Sequence, residues 1–441
     1  MKLSQAVYAT CIAMFAAVTP AAAGIEPVTG DPVLFWHEQF LSATTGPPPV
    51  VGRHAAMLGV AIHDAVNGTL GRPNYGYTGS LEKNGGDTRA ATSVAAHRIL
   101  VTLYPSKQAQ LDQALSDSLA LIAAGPAKTN GVAYGAAIAA KVLDIRSSDG
   151  ANAVVPYTPS GLPGRWAPTP PGNAPFAFTQ LGSVTPWLLT SNSQLRPGAP
   201  PSLGSAEYAA AFNEVKDIGA LASASRTADQ TAAATFWATT PFSPWIRAAI
   251  DRAQISGNSV LENATLMAQL SVATHDAFIA TWDAKLHYDF WRPLTAIRAA
   301  DTDGNPDTLI DAAWNSWLIN PPYAAYSSGL SAVSGAGARI LSNTFGGSDA
   351  FCLTYSVERC WTGFEAAADE SAMSRLWGGI HFRFDNDAGL AVGRNSAAWT
   401  QSARAFNAVP EPTTWVMMIA WFGLIGAVAR QRRASMLPRE A

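Results

Sequence analysis

The chain has 441 residues, 48% of them hydrophobic and 14% charged, with a formal net charge of −3. That length allows up to about three domains, or one large one with a sizeable core. The near-neutral balance excludes a nucleic-acid footprint, and the hydrophobic content excludes a disordered chain.

Lys2, an apolar run from Ala6 to Val18 and then Ala21-Ala22-Ala23 read as a secretory signal peptide, residues 1–23, ending near Gly24. Cys11 leaves with it, and the mature chain keeps Cys352 and Cys360. In an oxidising compartment such a close, isolated pair is expected to be bridged.

From residue 24 to about 405 the pattern is helical. Leu58, Ile62 and Val66 repeat every four residues, as do Leu111, Leu115 and Leu119, each marking one helix face. Alanine-rich stretches at 131–146 and 207–238 add strong helix formers. No run alternates as a strand would. Several helices are apolar beyond a single stripe, which predicts an all-α domain of large bundles with buried central helices.

The segment Gly59 to Ala65, with His63-Asp64, is echoed by Ser271 to Ala277, with His275-Asp276. Duplication of a bundle and chance similarity between two alanine-rich helices are both open. His63 and His275 read as hydrogen-bonded helix residues rather than ligands. Residues 156–201 hold eleven of the 29 prolines, yet Trp166, Phe176, Phe178 and Trp187 make them too aromatic for a flexible linker. An ordered loop is expected, packed on the bundle or, alternatively, serving as a lid.

Three blocks in the second half carry chemistry. Lys285 and Arg292 are seven positions apart, two helical turns along one face, and Pro293 follows. His287, two residues after Lys285, would face away. Next, Asp301 to Asp307 superficially resembles a calcium loop, but it lacks the spacing and terminal glutamate and reads as a tight turn. The second block runs from Pro321 to Ser331, a turn able to aim N–H groups and a hydroxyl inward. In the third, Arg375, Gly378, Gly379, His381 and Asp385 share one face of an expected helix. The carboxylate one turn on would take the histidine N–H and fix its tautomer. This face suits an oxyanion; a capped helix with an Arg–Asp surface pair is the alternative.

The order of these blocks resembles the vanadium-dependent haloperoxidases and the related type 2 phosphatidic acid phosphatase superfamily. Blocks one and three match fully. Block two departs, with Ser327 at the family's proline and Leu330 at its histidine. The resemblance implies an all-α domain, residues 24–405, of paired four-helix bundles. It further implies vanadate, or phosphate, held by Lys285, Arg292, Ser328, Gly329, Arg375 and His381. His381 would be the vanadium ligand or the phosphorylated nucleophile, with Asp385 orienting it, and a Cys352–Cys360 disulfide would staple the loop between blocks two and three. Hydrogen peroxide and halide would be the small-molecule partners of a peroxidase. Leu330 stands where the family keeps its acid/base, a loss that typically costs ~10²–10⁴ in rate. Three functions are therefore expected: a weakened haloperoxidase, a phosphatase using His381, and a catalytically weak extracellular scaffold.

At the C-terminus Val409-Pro410-Glu411-Pro412 precedes an apolar run from Trp415 to Ala429 and then Arg430, Arg432 and Arg433. The run reads as a short transmembrane segment with its arginines in the cytoplasm. Residues 409–434 resemble the PEP-CTERM sorting signal of Gram-negative bacteria. That resemblance implies transient inner-membrane anchoring, exosortase-type processing and a location in the cell envelope or outside. A plain C-terminal anchor is the alternative.

Overall fold

The computed structural model describes residues 26–71, 74–79, 85–238, 241–355 and 357–409, with positions 421 and 425. The expected signal peptide, and the expected sorting segment apart from Val409 and those two positions, lie outside the described residues. No helix among the described residues is long and apolar enough to cross a membrane.

Among the described residues the fold is all-α apart from one hairpin. Asp31 opens α1 (Pro32–Ala43) by accepting the amides of Val33 and Leu34, the expected use of an aspartate at a helix start. The first bundle comprises α2 (Pro48–Thr69), α3 (Thr88–Leu103), α4 (Gln108–Ala120) and α5 (Pro126–Ser147). Three shorter helices follow: α6 (Ala206–Ile218), α7 (Ala228–Phe236) and α8 (Ser243–Ser256). The second bundle comprises α9 (Val260–Tyr288), α11 (Gly329–Phe345), α12 (Phe364–Trp377) and α13 (Arg383–Ser402), with the short α10 (Pro293–Arg298) between α9 and α11.

Packing of α2 on α9 joins the bundles. A Cβ on Gly59 would lie 2.5 Å from Ser271 Oγ and 3.0 Å from the Met267 carbonyl, so only glycine permits this approach. Gly59 and Ser271 each begin one of the two echoing segments, which therefore meet at corresponding residues. The aspartates also correspond in role. Asp64 accepts the amides of Tyr77 and Thr78, and Asp276 those of Trp187, Leu188 and Leu189. The echo is thus a repeated device in which a bundle helix pins a loop. Both histidines are buried and hydrogen-bonded, His63 to Asp64 and His275 to Trp187 Nε1.

The proline-rich stretch packs rather than covers. Trp166, Phe176 and Trp187 are buried in it, and the Arg146 guanidinium lies 3.6 Å from the Trp187 ring. The Asp301–Asp307 loop is a tight turn: Asp303 accepts from the Asn305 amide and the Thr308 hydroxyl, both at 2.8 Å.

Two expectations are corrected. The sequence showed no strand, yet β1 (Phe351–Thr354) and β2 (Glu358–Trp361) pair antiparallel. Four-residue strands are too short to show a period against their aromatic surroundings. Cys352 and Cys360 face each other in this hairpin, Cα atoms 4.0 Å apart, and are joined by a disulfide. Lys285 and Arg292 do not share a helix face. Helix α9 stops at Tyr288, Asp289 adopts a left-handed conformation (φ 51°), and Arg292 caps α10.

Candidate oxyanion site

The third block is not one helix. Helix α12 ends at Trp377, Gly378 caps it, and Gly379 turns the chain at φ +73°. The chain then passes through Ile380 and His381 before α13 begins at Arg383. The spaces left by the two glycines are filled by protein, not left for a ligand. A Cβ on Gly378 would meet Leu318 Cδ1 at 2.6 Å, and one on Gly379 would meet the Gly219 carbonyl at 2.3 Å. This tight turn presents Arg375 from the end of one helix and His381 from the start of the next.

Asp385 sits in the first turn of α13, where a carboxylate is favoured by the helix dipole. One oxygen, Oδ2, accepts the Phe382 amide at 2.9 Å and pairs with His381 Nδ1 at 3.0 Å. On the other side of the ring, Arg292 Nη1 lies 3.0 Å from Nε2. Because a guanidinium only donates, these contacts assign the proton to Nδ1 and leave a lone pair on Nε2.

Block one reaches the same place from the end of α9. Lys285, fully buried, donates to the carbonyls of Ala324 and Ala325 at 2.8 and 2.9 Å. Arg292, also fully buried, donates Nε to the Tyr323 carbonyl and Nη1 to that of Ile380, while its Nη2 has no partner among the described residues. In block two Ser328 caps α11, takes the Ser331 amide on its side chain and ties its own amide to the Asp385 carbonyl. The amides of Gly329 and Leu330 open α11, at the end where helix N–H groups lack intrahelical acceptors and favour anions. The Ser327 hydroxyl is a further buried group without a partner among the described residues.

Burial dominates the electrostatics. Lys285 and Arg292 are buried near one carboxylate, Asp385, and all three cations, Arg375 included, are buried near His381. Loss of water pushes the Lys285 ammonium well below its ordinary value, with Arg292 adding to the shift and Asp385 opposing it. Burial also lowers Arg292 and Arg375 to about 10. The His381 imidazole is held well below 6.5 by burial and then by Arg292, Lys285 and Arg375. Burial raises the Asp385 carboxyl to about 7 against the pull of the Phe382 amide and the two nearest cations. Three crowded cations, an unpartnered Nη2, an orphaned hydroxyl and a helix N-terminus fit an oxyanion such as vanadate or phosphate.

A cavity of about 460 Å³ opens onto this cluster, with Arg375, His381, Gly329 and Leu330 in its wall. The sequence reading missed its remaining lining. Tyr323 lines it, its ring 5.3 Å from Lys285 Nζ and 5.0 Å from the Arg292 guanidinium. Trp237, Phe278 and Trp317 also line it. Tyr323 stands inside block two and was readable as an aromatic next to the turn; Trp237 carried no signal. Neither His275 nor His287 lines the cavity, and His287 contacts Arg196 instead. No residue of 156–201 lines it, so the loop is no lid over it.

Residues 265–408 match the family described as the VCPO second helical-bundle domain. The vanadium chloroperoxidase of Curvularia inaequalis is 28% identical over 215 residues, 42% of this chain and 34% of that protein. The match thus spans about a third of that relative's length. Among solved structures, the first bacterial vanadium-dependent iodoperoxidase superposes with a TM-score of 0.73 at 26% identity, covering 87% of this chain and 96% of that one. A holo bacterial vanadium-dependent chloroperoxidase gives 0.66 over 81% and 92%, and at 18% identity this is a likeness of fold alone. Residues 265–408 are thus similar to a vanadium haloperoxidase bundle domain, on a chain whose fold is the vanadium haloperoxidase fold, and Lys285, Arg292, Ser328, Gly329, Arg375, His381 and Asp385 all fall within the matched residues.

Proposed function

We propose that the chain binds vanadate through His381 Nε2 and acts as an exported haloperoxidase-like oxidoreductase, slowed by leucine at position 330. The observation that carries this reading is three buried cations gathered round a neutral imidazole whose Nε2 holds a lone pair. When bound, vanadate supplies the centre at which hydrogen peroxide is activated for attack by halide. Lys285, Arg292 and Arg375 would hold its oxygens and stabilise negative charge in a site shielded from water. Asp385 would keep the proton on Nδ1. The amide of Gly329 and the hydroxyl of Ser328 would complete the cage.

Leu330 lines the cavity and cannot move a proton, which predicts binding with slow turnover. Two other readings use the same cage: phosphomonoester hydrolysis with His381 as nucleophile, and a scaffold that holds the anion without turnover. Vanadate binding, bromide and iodide oxidation by peroxide, and phosphomonoester hydrolysis, measured on wild type and Leu330→His, separate the three. The haloperoxidase reading expects vanadate binding in both and a halide-oxidation rate about 10²-fold higher in the variant. Hydrolysis without halide oxidation would favour the phosphatase. Binding with neither activity in either protein would leave the scaffold.

Export rests on the two terminal segments. Accumulation of the chain in the cytoplasm with residues 1–23 still attached would overturn it.

A further inference from the structure

The helices of the second bundle run between two ends, and the cage occupies one of them. Lys285 lies in the last turn of α9 and Arg375 in the last turn of α12, while Gly329 opens α11 and Arg383 opens α13. Thr265, in the second turn of α9, belongs to the opposite end, about 30 Å from Lys285 at the helix rise per residue.

The chain is fastened to that opposite end after α13. The Phe406 amide donates to the Tyr75 carbonyl, and the Asn407 carbonyl accepts the Tyr75 amide. Ala408 bridges to Asn74, whose side chain donates to Thr265 Oγ1 at 3.0 Å. A groove of about 330 Å³, lined by Asn74, Leu261, Thr265, Thr344 and Ala408, marks where the start of α9 and the end of α11 meet this segment. The chain is thus held to the body as far as Ala408, and only Val409 to Thr414 separate it from the apolar run that begins at Trp415. Those residues reach about 22 Å when fully extended.

The face around this exit suits a lipid surface. Leu70 at the end of α2, Ile255 at the end of α8 and Val409 are 50%, 60% and 38% exposed. Charges nearby are met within the protein. Glu262 accepts the amide and hydroxyl of Ser259, Arg252 pairs with Asp349 at 2.7 Å, and the Arg404 guanidinium lies 4.5 Å from the Tyr75 ring. A tether makes docking intramolecular, so a modest apolar face suffices.

We propose that this end of the second bundle rests on the membrane that holds Trp415–Ala429, which presents the cage on the far side, about 30 Å from the lipid. Small solutes then reach the cavity from the aqueous side, and products leave away from the lipid. The inference rests on the reading of residues 409–434 as a membrane-anchoring segment and not on what the cage binds.

Quenching of site-specific labels by lipid headgroups tests it. The full chain, in a Cys11→Ser background with Cys352 and Cys360 paired, is reconstituted in vesicles of phosphatidylethanolamine and phosphatidylglycerol that carry headgroup nitroxides. A fluorophore is attached to Ser256→Cys at the proposed face, or to Leu221→Cys, two residues from the Gly219 carbonyl that packs on the turn before His381. Both positions are exposed, and thermal unfolding checks each protein. The proposal predicts quenching several-fold stronger at Ser256→Cys than at Leu221→Cys. It also predicts that adding Leu70→Glu with Ile255→Glu leaves the protein floating with vesicles but removes most of that difference. Equal quenching at the two positions in vesicle-bound protein, stronger quenching at Leu221→Cys, or a difference unchanged by the glutamates overturns the docking face and leaves the anchor intact. Failure to float with vesicles overturns the anchor, and the docking face with it.

Discussion

His381 can take an oxyanion only through an unprotonated Nε2, and two neighbours arrange this. Asp385 holds the proton on Nδ1, while Arg292 and burial keep the ring neutral. Replacing Asp385 by asparagine keeps the shape but removes the charge, and vanadate affinity should fall by roughly 10–100-fold. Unchanged affinity would reduce Asp385 to a helix cap. Lys285 tests the other side of the balance. It is fully buried beside the Arg292 guanidinium and one carboxylate, an arrangement that disfavours the anion-free protein. Lys285→Met should raise anion-free stability by about 1–2 kcal/mol in urea unfolding while abolishing stabilisation by vanadate. A less stable Lys285→Met protein would show that the ammonium's bonds to Ala324 and Ala325 outweigh its desolvation. The buried cluster of Lys285, Arg292, Arg375 and His381 was legible in the sequence, because charged patterns this dense are costly to bury without a use. Tyr323 and Trp237 were not, since aromatics serve the core as readily as a site.

At the scale of elements, the expectations about helix faces failed where the chain turns. Gly378 and Gly379 were expected on one helix face with Arg375 and His381, yet they stop α12 and admit Leu318 and Gly219. A left-handed glycine after a helix is the usual stop signal, but Asp289 does the same at α9 without a glycine to reveal it. Long helices were readable because alanine and leucine at four-residue spacing are strong local signals, whereas their ends depend on tertiary partners. Gly379→Ala would force a Cβ against the Gly219 carbonyl in a left-handed conformation. We expect a loss of about 1–3 kcal/mol, read as a lower Tm, together with weaker vanadate binding because the turn delivers His381. An unchanged Tm would mean that α6 and the turn can separate without cost. The Cys352–Cys360 bridge closes a short loop, a sequence separation of 8. Cys352→Ser with Cys360→Ser should cost about 2–3 kcal/mol in urea unfolding if the loop-entropy account holds, and no loss would show that Arg359–Glu370 alone secures the hairpin.

Over the whole molecule, two bundles meet along α2 and α9 at matching residues; the buried cations and His381 come from the second bundle and its connections, while Pro48 at the start of α2 and Trp237 after α7 help to wall the cavity. Helix α1, packed on α3 of the first bundle, carries a buried histidine. His37, wholly buried, is held at about 4 by desolvation against its bond to the Val33 carbonyl. A folded-state value below the unfolded one gives stability that is complete above pH 6.5 and lost as pH falls toward 4. Relative to His37→Phe, the wild type should therefore lose up to about 3 kcal/mol between pH 6.5 and 4 in urea unfolding. Parallel pH curves would place no charge penalty on that ring. The measurement that bears most directly on the site is vanadate titration of the purified chain against His381→Ala. One-to-one binding that disappears in the variant is the predicted result. Absence of binding in the wild type, or equal binding by both proteins, would contradict the assignment of His381 Nε2 as the atom that holds the oxyanion.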